Sequence, residues 1–95
     1  MQINYTADAF GSLIQLVNFI ESKNTFGAGL RWLKRFEMFL EKKLHSPEQI
    51  KLCNNYTFNQ LNLRRIYFND WLIAFSIYEE TVLIEALLHK SRISD

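Results

Sequence analysis

Among 95 residues there are one cysteine and three glycines, and each scarcity removes a class of protein. Cys53 alone cannot close an internal disulfide, and with no second thiol a zinc site lacks its usual ligands. It reads as a small core residue. So few glycines leave no glycine-rich phosphate loop, and no Ser/His/Asp set or zinc motif is present either. Asp70, Glu79 and Glu80 look like turn acids without the spacing of a metal site. No metal and no cofactor are expected. Long apolar runs are missing too: nothing approaches the roughly 18 uncharged apolar residues of a membrane span. The N-terminus lacks the basic, apolar, small-residue order of a signal peptide, so the expected location is cytoplasmic, away from any membrane. Eleven Lys/Arg against ten Asp/Glu leave a net charge of +1, which argues against a protein that grips long nucleic acid by neutralising phosphates.

What is present is enough for one core. Hydrophobic residues make up 48% and aromatics 15%, with eight Phe, so residues 1–95 read as a single folded domain. Gln2 to Tyr5 alternates polar and apolar as an opening strand does. Thr6 or Asp8 then offers an oxygen to cap a helix, and Ala9, Leu13, Leu16, Val17 and Ile20 recur at the helical period to about Ser22. Lys23-Asn24-Thr25 forms a turn, with Thr25 as a second cap. A second helix is predicted from Phe26 to Leu44. Phe26, Leu30, Leu33, Leu40 and Leu44 form its stripe, and Trp32, Phe36 and Phe39 widen that stripe to about half the circumference. An arc so wide is expected to stay partly exposed in the lone chain and to be covered by another protein or a second copy. Gly27 and Gly29 each weaken the first turn by about 1 kcal/mol, a cost that makes sense where helix backbones cross closely. Pro47 bars continuation. From Glu21 to Lys51 seven bases and four acids make a mildly basic helical face. His45, beside the helix end, is a favourable C-terminal charge or a loop residue.

The remaining chain reads as strands. Ile50 to Cys53 is a short candidate and Asn54-Asn55 a turn. In Leu61 to Phe68 the alternation sends Arg64 and Arg65 to opposite faces. Asn69-Asp70 is a hairpin turn whose residues tolerate positive φ. Trp71 to Tyr78 is apolar on both faces and so belongs at the centre of a sheet. After Glu79-Glu80, Thr81 to Leu88 places Val82, Ile84, Ala86 and Leu88 opposite Leu83, Glu85, Leu87 and His89. The expected fold class is α+β, a two-helix hairpin on a mainly antiparallel twisted sheet.

Three motifs carry a resemblance: Tyr5-Thr6-Ala7-Asp8-Ala9 before the first helix, Leu63-Arg64-Arg65-Ile66-Tyr67-Phe68 with Trp71-Leu72-Ile73-Ala74-Phe75 across a turn, and the closing Leu87-Leu88-His89-Lys90-Ser91-Arg92. In this order, over nearly the whole chain, they resemble the RelE/ParE superfamily of bacterial toxins. The resemblance implies the toxin of a plasmid-stabilising toxin-antitoxin pair that inhibits DNA gyrase or the ribosome and is silenced by a cognate antitoxin. The ribonuclease branch places a catalytic Arg where Leu72 stands and a Tyr in the tail, and none follows Tyr78. The ParE-like branch, which acts by binding, is therefore the nearer. Target contacts are expected at Arg64, Arg65, His89, Lys90 and Arg92, and antitoxin contacts at Trp32, Phe36 and Phe39. The alternatives are a messenger-RNA interferase using His89, Arg64, Arg65, Lys90 and Arg92 as acid, base and cations, or a toxin-fold module that has lost toxicity. His89 equally fits a strand-end histidine bonded to backbone, and Arg64 and Arg65 fit surface pairing with Glu79, Glu80 or Glu85.

Overall fold

A computed structural model describes residues 2–54 and 56–92, the Arg92 side chain excepted; Asn55, half of the expected Asn54-Asn55 turn, lies outside them. The elements run β1 (Gln2–Tyr5), α1 (Ala7–Lys23), α2 (Ala28–Lys43), a 3-10 turn (Pro47–Gln49), α3 (Tyr56–Gln60), β2 (Arg64–Phe68), β3 (Trp71–Tyr78), β4 (Thr81–His89) and a closing 3-10 turn (Lys90–Arg92). The sheet order is β1-β4-β3-β2, with β1 parallel to β4 and the other pairs antiparallel. This is an α+β fold with a four-stranded mixed sheet, and β3 sits inside it, as a strand apolar on both faces must.

Local chemistry sets the element ends. Thr6 caps α1 by accepting the Ala9 amide at 3.1 Å. Thr25 does not cap α2. Gly27 takes that position with φ 84°, a left-handed conformation that suits glycine, and the orphan amides of Gly27 and Gly29 donate to the Glu21 carboxylate at 2.8 and 2.9 Å. Those two bonds hold the Glu21 carboxyl below the usual carboxylate range. The close crossing expected at Gly29 is present: a Cβ there would lie 2.7 Å from the Val17 carbonyl oxygen. Both hairpins have two-residue turns, with Asn69 at φ 53° and Glu79 at φ 55°.

Between the helices and the sheet lies the main core, where Leu13, Phe36 and Leu40 meet Ile66, Ile73, Phe75, Val82 and Ile84. Here the expectation for α2 is corrected. Phe68 of β2 inserts into the arc, lying 5.6 Å from Trp32, 5.5 Å from Phe36 and 4.9 Å from Phe39 between ring centroids. Trp32 and Phe36 are buried and Phe39 is half-buried, so the wide arc is filled by the chain's own aromatic ring. Two residues assigned to the stripe, Phe26 and Leu30, are instead exposed.

Three further differences have local causes. Residues Leu61 and Asn62 are not strand: they form the turn after α3, Asn62 at φ 59°, and β2 starts at Arg64. Segment 51–53 pairs only through a Leu52–Arg64 bridge, which with the Cys53 and Arg65 amide bonds to Leu63 and Lys51 covers the outer edge of β2. In β4 the register passes from Ala74↔Ala86 to Phe75↔Ile84, so Glu85 is one residue too many. Such a bulge inverts the alternation beyond it, and Leu87 and His89 join Val82 and Ile84 on the helix side instead of opposing them. A smaller cluster of Cys53, Leu63, Leu72 and Ala74 fills the opposite face under Phe58.

Candidate functional site

The bulge in β4 shapes an open site between the sheet and α1. Because Leu87 and His89 are turned toward α1, they form with Trp71 one wall of a groove of roughly 640 Å³ whose other wall is Ser12, Gln15, Leu16 and Phe19 of α1, with Ser91 at its end. The wall has fixed geometry. His89 stands edge-on to Trp71, its strand partner, with ring centroids 5.1 Å apart at 82°. The Ser91 amide donates to His89 Nδ1 at 3.2 Å, and the Ser91 hydroxyl lies 2.9 Å from the same nitrogen. Any further contact of this ring therefore falls to Nε2. Lys90 donates its amide to the Asp70 carbonyl at 2.7 Å, which ties the tail to the β2–β3 turn. Across the groove Phe19 is exposed, with Lys23 Nζ 5.9 Å from its ring centroid. The site offers aromatic surface framed by an amide, two hydroxyls and an imidazole, which is the composition of a recognition groove.

The other residues singled out in the sequence do not converge on it. Arg64 shares the helix-side face with Ile66 and Phe68, and its guanidinium donates to the Ile50 carbonyl. Arg65 lies on the opposite face, 5.7 Å from the Tyr67 ring centroid, with Nε buried and lacking an acceptor. Counting two strand spacings and three residues along the sheet, Arg65 and His89 are about 14 Å apart at Cα and face opposite ways. Lys90 is exposed beside the groove, and the Arg92 side chain lies outside the described residues. Cys53 is buried as expected, and burial pushes its thiol up against the opposing influence of Arg65. Among the described residues no group of three or more His, Cys, Asp or Glu could hold a metal, and no helix is long and apolar enough to cross a membrane.

Part of the basic helical face does gather. Lys23, Arg31 and Arg35 border a second hollow of roughly 750 Å³ beside Trp32. Arg31 is fixed there by its bonds to the Phe26 carbonyl at 3.2 Å and to Thr25 Oγ1 at 3.0 Å. Ser12, Gln15, Phe19 and Trp71 were absent from the sequence-based site. Phe19 carried a usable signal, because a large aromatic off the apolar stripe of α1 has no core to enter. Compared with the models of known protein families and with curated proteins, the chain matches none.

Proposed function

We propose that the chain is a ParE-like toxin of the RelE/ParE superfamily, acting in the cytoplasm by binding a protein target such as DNA gyrase and silenced by a cognate antitoxin. One observation carries the choice of binding over catalysis. His89, the only ring near the tail with acid/base character, sits in a groove with Trp71 and Phe19, while Arg64 is turned inward to a backbone carbonyl and Arg65 lies on the far face. A ribonuclease must hold base, acid and cations around one phosphate, and these residues are dispersed. The order of a strand, a helical hairpin and a three-stranded meander supports the family reading.

In this reading His89, Lys90 and Arg92 contact the target along the tail, with Arg64 and Arg65 supporting the sheet. The antitoxin is seated along α1 over Phe19 and Trp71, because the side chains of Trp32 and Phe36 are enclosed and only Phe39 keeps surface. The test is inducible expression without a partner. Growth arrest is expected, with supercoiling by purified gyrase inhibited and ribosome-bound messenger RNA intact. Ribosome-dependent cleavage lost in His89→Ala would move the chain to the interferase branch. Absence of toxicity at every expression level would leave a non-toxic binding module of the same fold.

A further inference from the structure

We infer that the basic ridge of α2, together with the end of the helical hairpin, binds single-stranded nucleic acid. Arg31, Arg35, Met38 and Lys42 are exposed and recur at spacings of four, three and four, so they share one ridge of α2, roughly 17 Å long at the helical rise. At about 100° per residue Glu37 and Glu41 fall on a different arc, with Lys34 beside them. Lys23 joins from the end of α1 and lines the same hollow as Arg31 and Arg35, and no carboxylate is among the residues lining it. The Glu21 carboxylate, which Arg31 influences, is already held by the amides of Gly27 and Gly29. Lys23, Arg31, Arg35 and Lys42 carry +4 in a chain of formal net charge +1, which leaves the remainder at −3. Such asymmetry is the electrostatic footprint of a polyanion site, and the low total counts only against a long grip.

Helix stability does not account for the start of this ridge. Arg31 stands in the first turn of α2, where the dipole disfavours a cation, and Arg31 with Arg35 is a like-charge pair at i, i+4. Among the described residues Arg35 and Lys42 have no hydrogen-bond or ion-pair partner. Arg31 is held by the Phe26 carbonyl and the Thr25 hydroxyl, which leaves the rest of its fork of N–H donors for an oxyanion. Phe26 selects a nucleotide over a carboxylate. Its ring is 95% exposed at the head of the ridge, tied there through the bond from Arg31 to its carbonyl, and a bare phenyl face is a platform for an unpaired base. Met38, 69% exposed between Arg35 and Lys42, offers its thioether to a second base. An acidic protein segment would answer the cations and leave both apolar groups bare, and a duplex would keep its bases from them. A single strand carries a charge and an aromatic face at every step.

Fluorescence anisotropy of a labelled oligothymidylate of about twelve nucleotides, within the span of single-strand sites, tests the inference on the full chain made by cell-free synthesis. A dissociation constant on the order of 10 µM is expected at about 50 mM salt, weakening with log salt at a slope near −3 for four phosphate contacts. Arg35→Gln and Lys42→Gln should each flatten that slope by about 0.7. Phe26→Ala should weaken binding roughly five- to hundredfold at an unchanged slope, as removal of a stacking platform does. Lys34→Gln removes the same charge beside the acids and should leave the slope as it is. The far-ultraviolet circular dichroism of each variant should match that of the parent, because the altered side chains are exposed. No binding up to about millimolar protein, the range of the weakest specific contacts, overturns the inference. So does equal affinity for a duplex of the same length, indifference to Phe26→Ala, or displacement by polyglutamate as effective as by unlabelled oligonucleotide, which would assign the ridge to an acidic protein. None of these results touches the toxin reading, which rests on the groove between α1 and β4 and is read by growth and gyrase assays.

Discussion

Two glycines in helices give a controlled experiment on how the hairpin is packed. Gly11 lies in α1 and a Cβ built on it meets nothing within 4 Å. Gly29 lies in the first turn of α2, where a Cβ would stand 2.7 Å from the Val17 carbonyl oxygen, 3.1 Å from Val17 Cγ1 and 3.2 Å from Glu21 Cβ. The closest of these atoms is backbone of another helix and cannot rotate away. Gly11→Ala should therefore stabilise the fold by about 0.5–1 kcal/mol, the ordinary gain in helix propensity. Gly29→Ala receives the same gain but forces α1 and α2 apart, at a cost of about 1–3 kcal/mol for overpacking. Separation also pulls the Glu21 carboxylate from the amides of Gly27 and Gly29. A net loss near ~1 kcal/mol puts the two variants about 2 kcal/mol apart, or about 8–16 °C in melting temperature for a domain of this size. Urea titrations and thermal melts at one fixed protein concentration read the difference. If Gly29→Ala proves as stable as Gly11→Ala, the helices do not cross closely at Gly29.

The acid side of the stability profile should carry the signature of Glu21. Its carboxyl is held below the usual range, so the stabilisation it gives is fully present above the unfolded carboxylate pKa and is lost as pH falls through the lower folded value. Glu21→Gln should lower the urea midpoint near neutral pH and flatten its fall below about pH 4; parallel profiles for the two proteins would exclude the cap. Trp32→Ser should unfold the chain before it weakens any partner, since the indole is stacked on Phe36 at 5.1 Å and packed edge-on to Phe68. A loss of about 3–5 kcal/mol is expected, as for large-to-small changes at buried aromatic sites. A normal urea midpoint with impaired partner binding would show that the ring faces out after all.

Periodicity was sufficient for the two helices, the central strand and the opposed faces of Arg64 and Arg65, because each is set by local spacing and one-sided burial. It failed where a distant residue decided the outcome. The apolar arc at Trp32, Phe36 and Phe39 looked like an outward surface only because nothing in α2 reports that Phe68 of β2 will fill it. Thr25 is the nearest hydroxyl to the start of α2, whereas a carboxylate six residues before Gly27 does the capping. The extra residue at Glu85 left no local mark, yet it decides which side of the sheet His89 joins. The groove was illegible for that reason: its two walls belong to elements whose juxtaposition depends on one unpaired strand residue.

The parallel pairing of β1 with β4 joins positions 79 residues apart, since Gln2 sits opposite Thr81. Translation supplies β1 and both long helices well before it supplies β4, the strand that lies between β1 and β3. Until then β1 has no neighbour to accept its hydrogen bonds, and α1 and α2 have no Val82 or Ile84 to lie against. The nascent hairpin is left with its inner apolar face as bare as its outer one. Contacts this distant also slow folding of the released chain, because the intervening loop must close before they form. The interval between synthesis of α2 and of β4 is thus when the chain is most open to capture by a chaperone, or by any partner that binds its helices before the sheet exists.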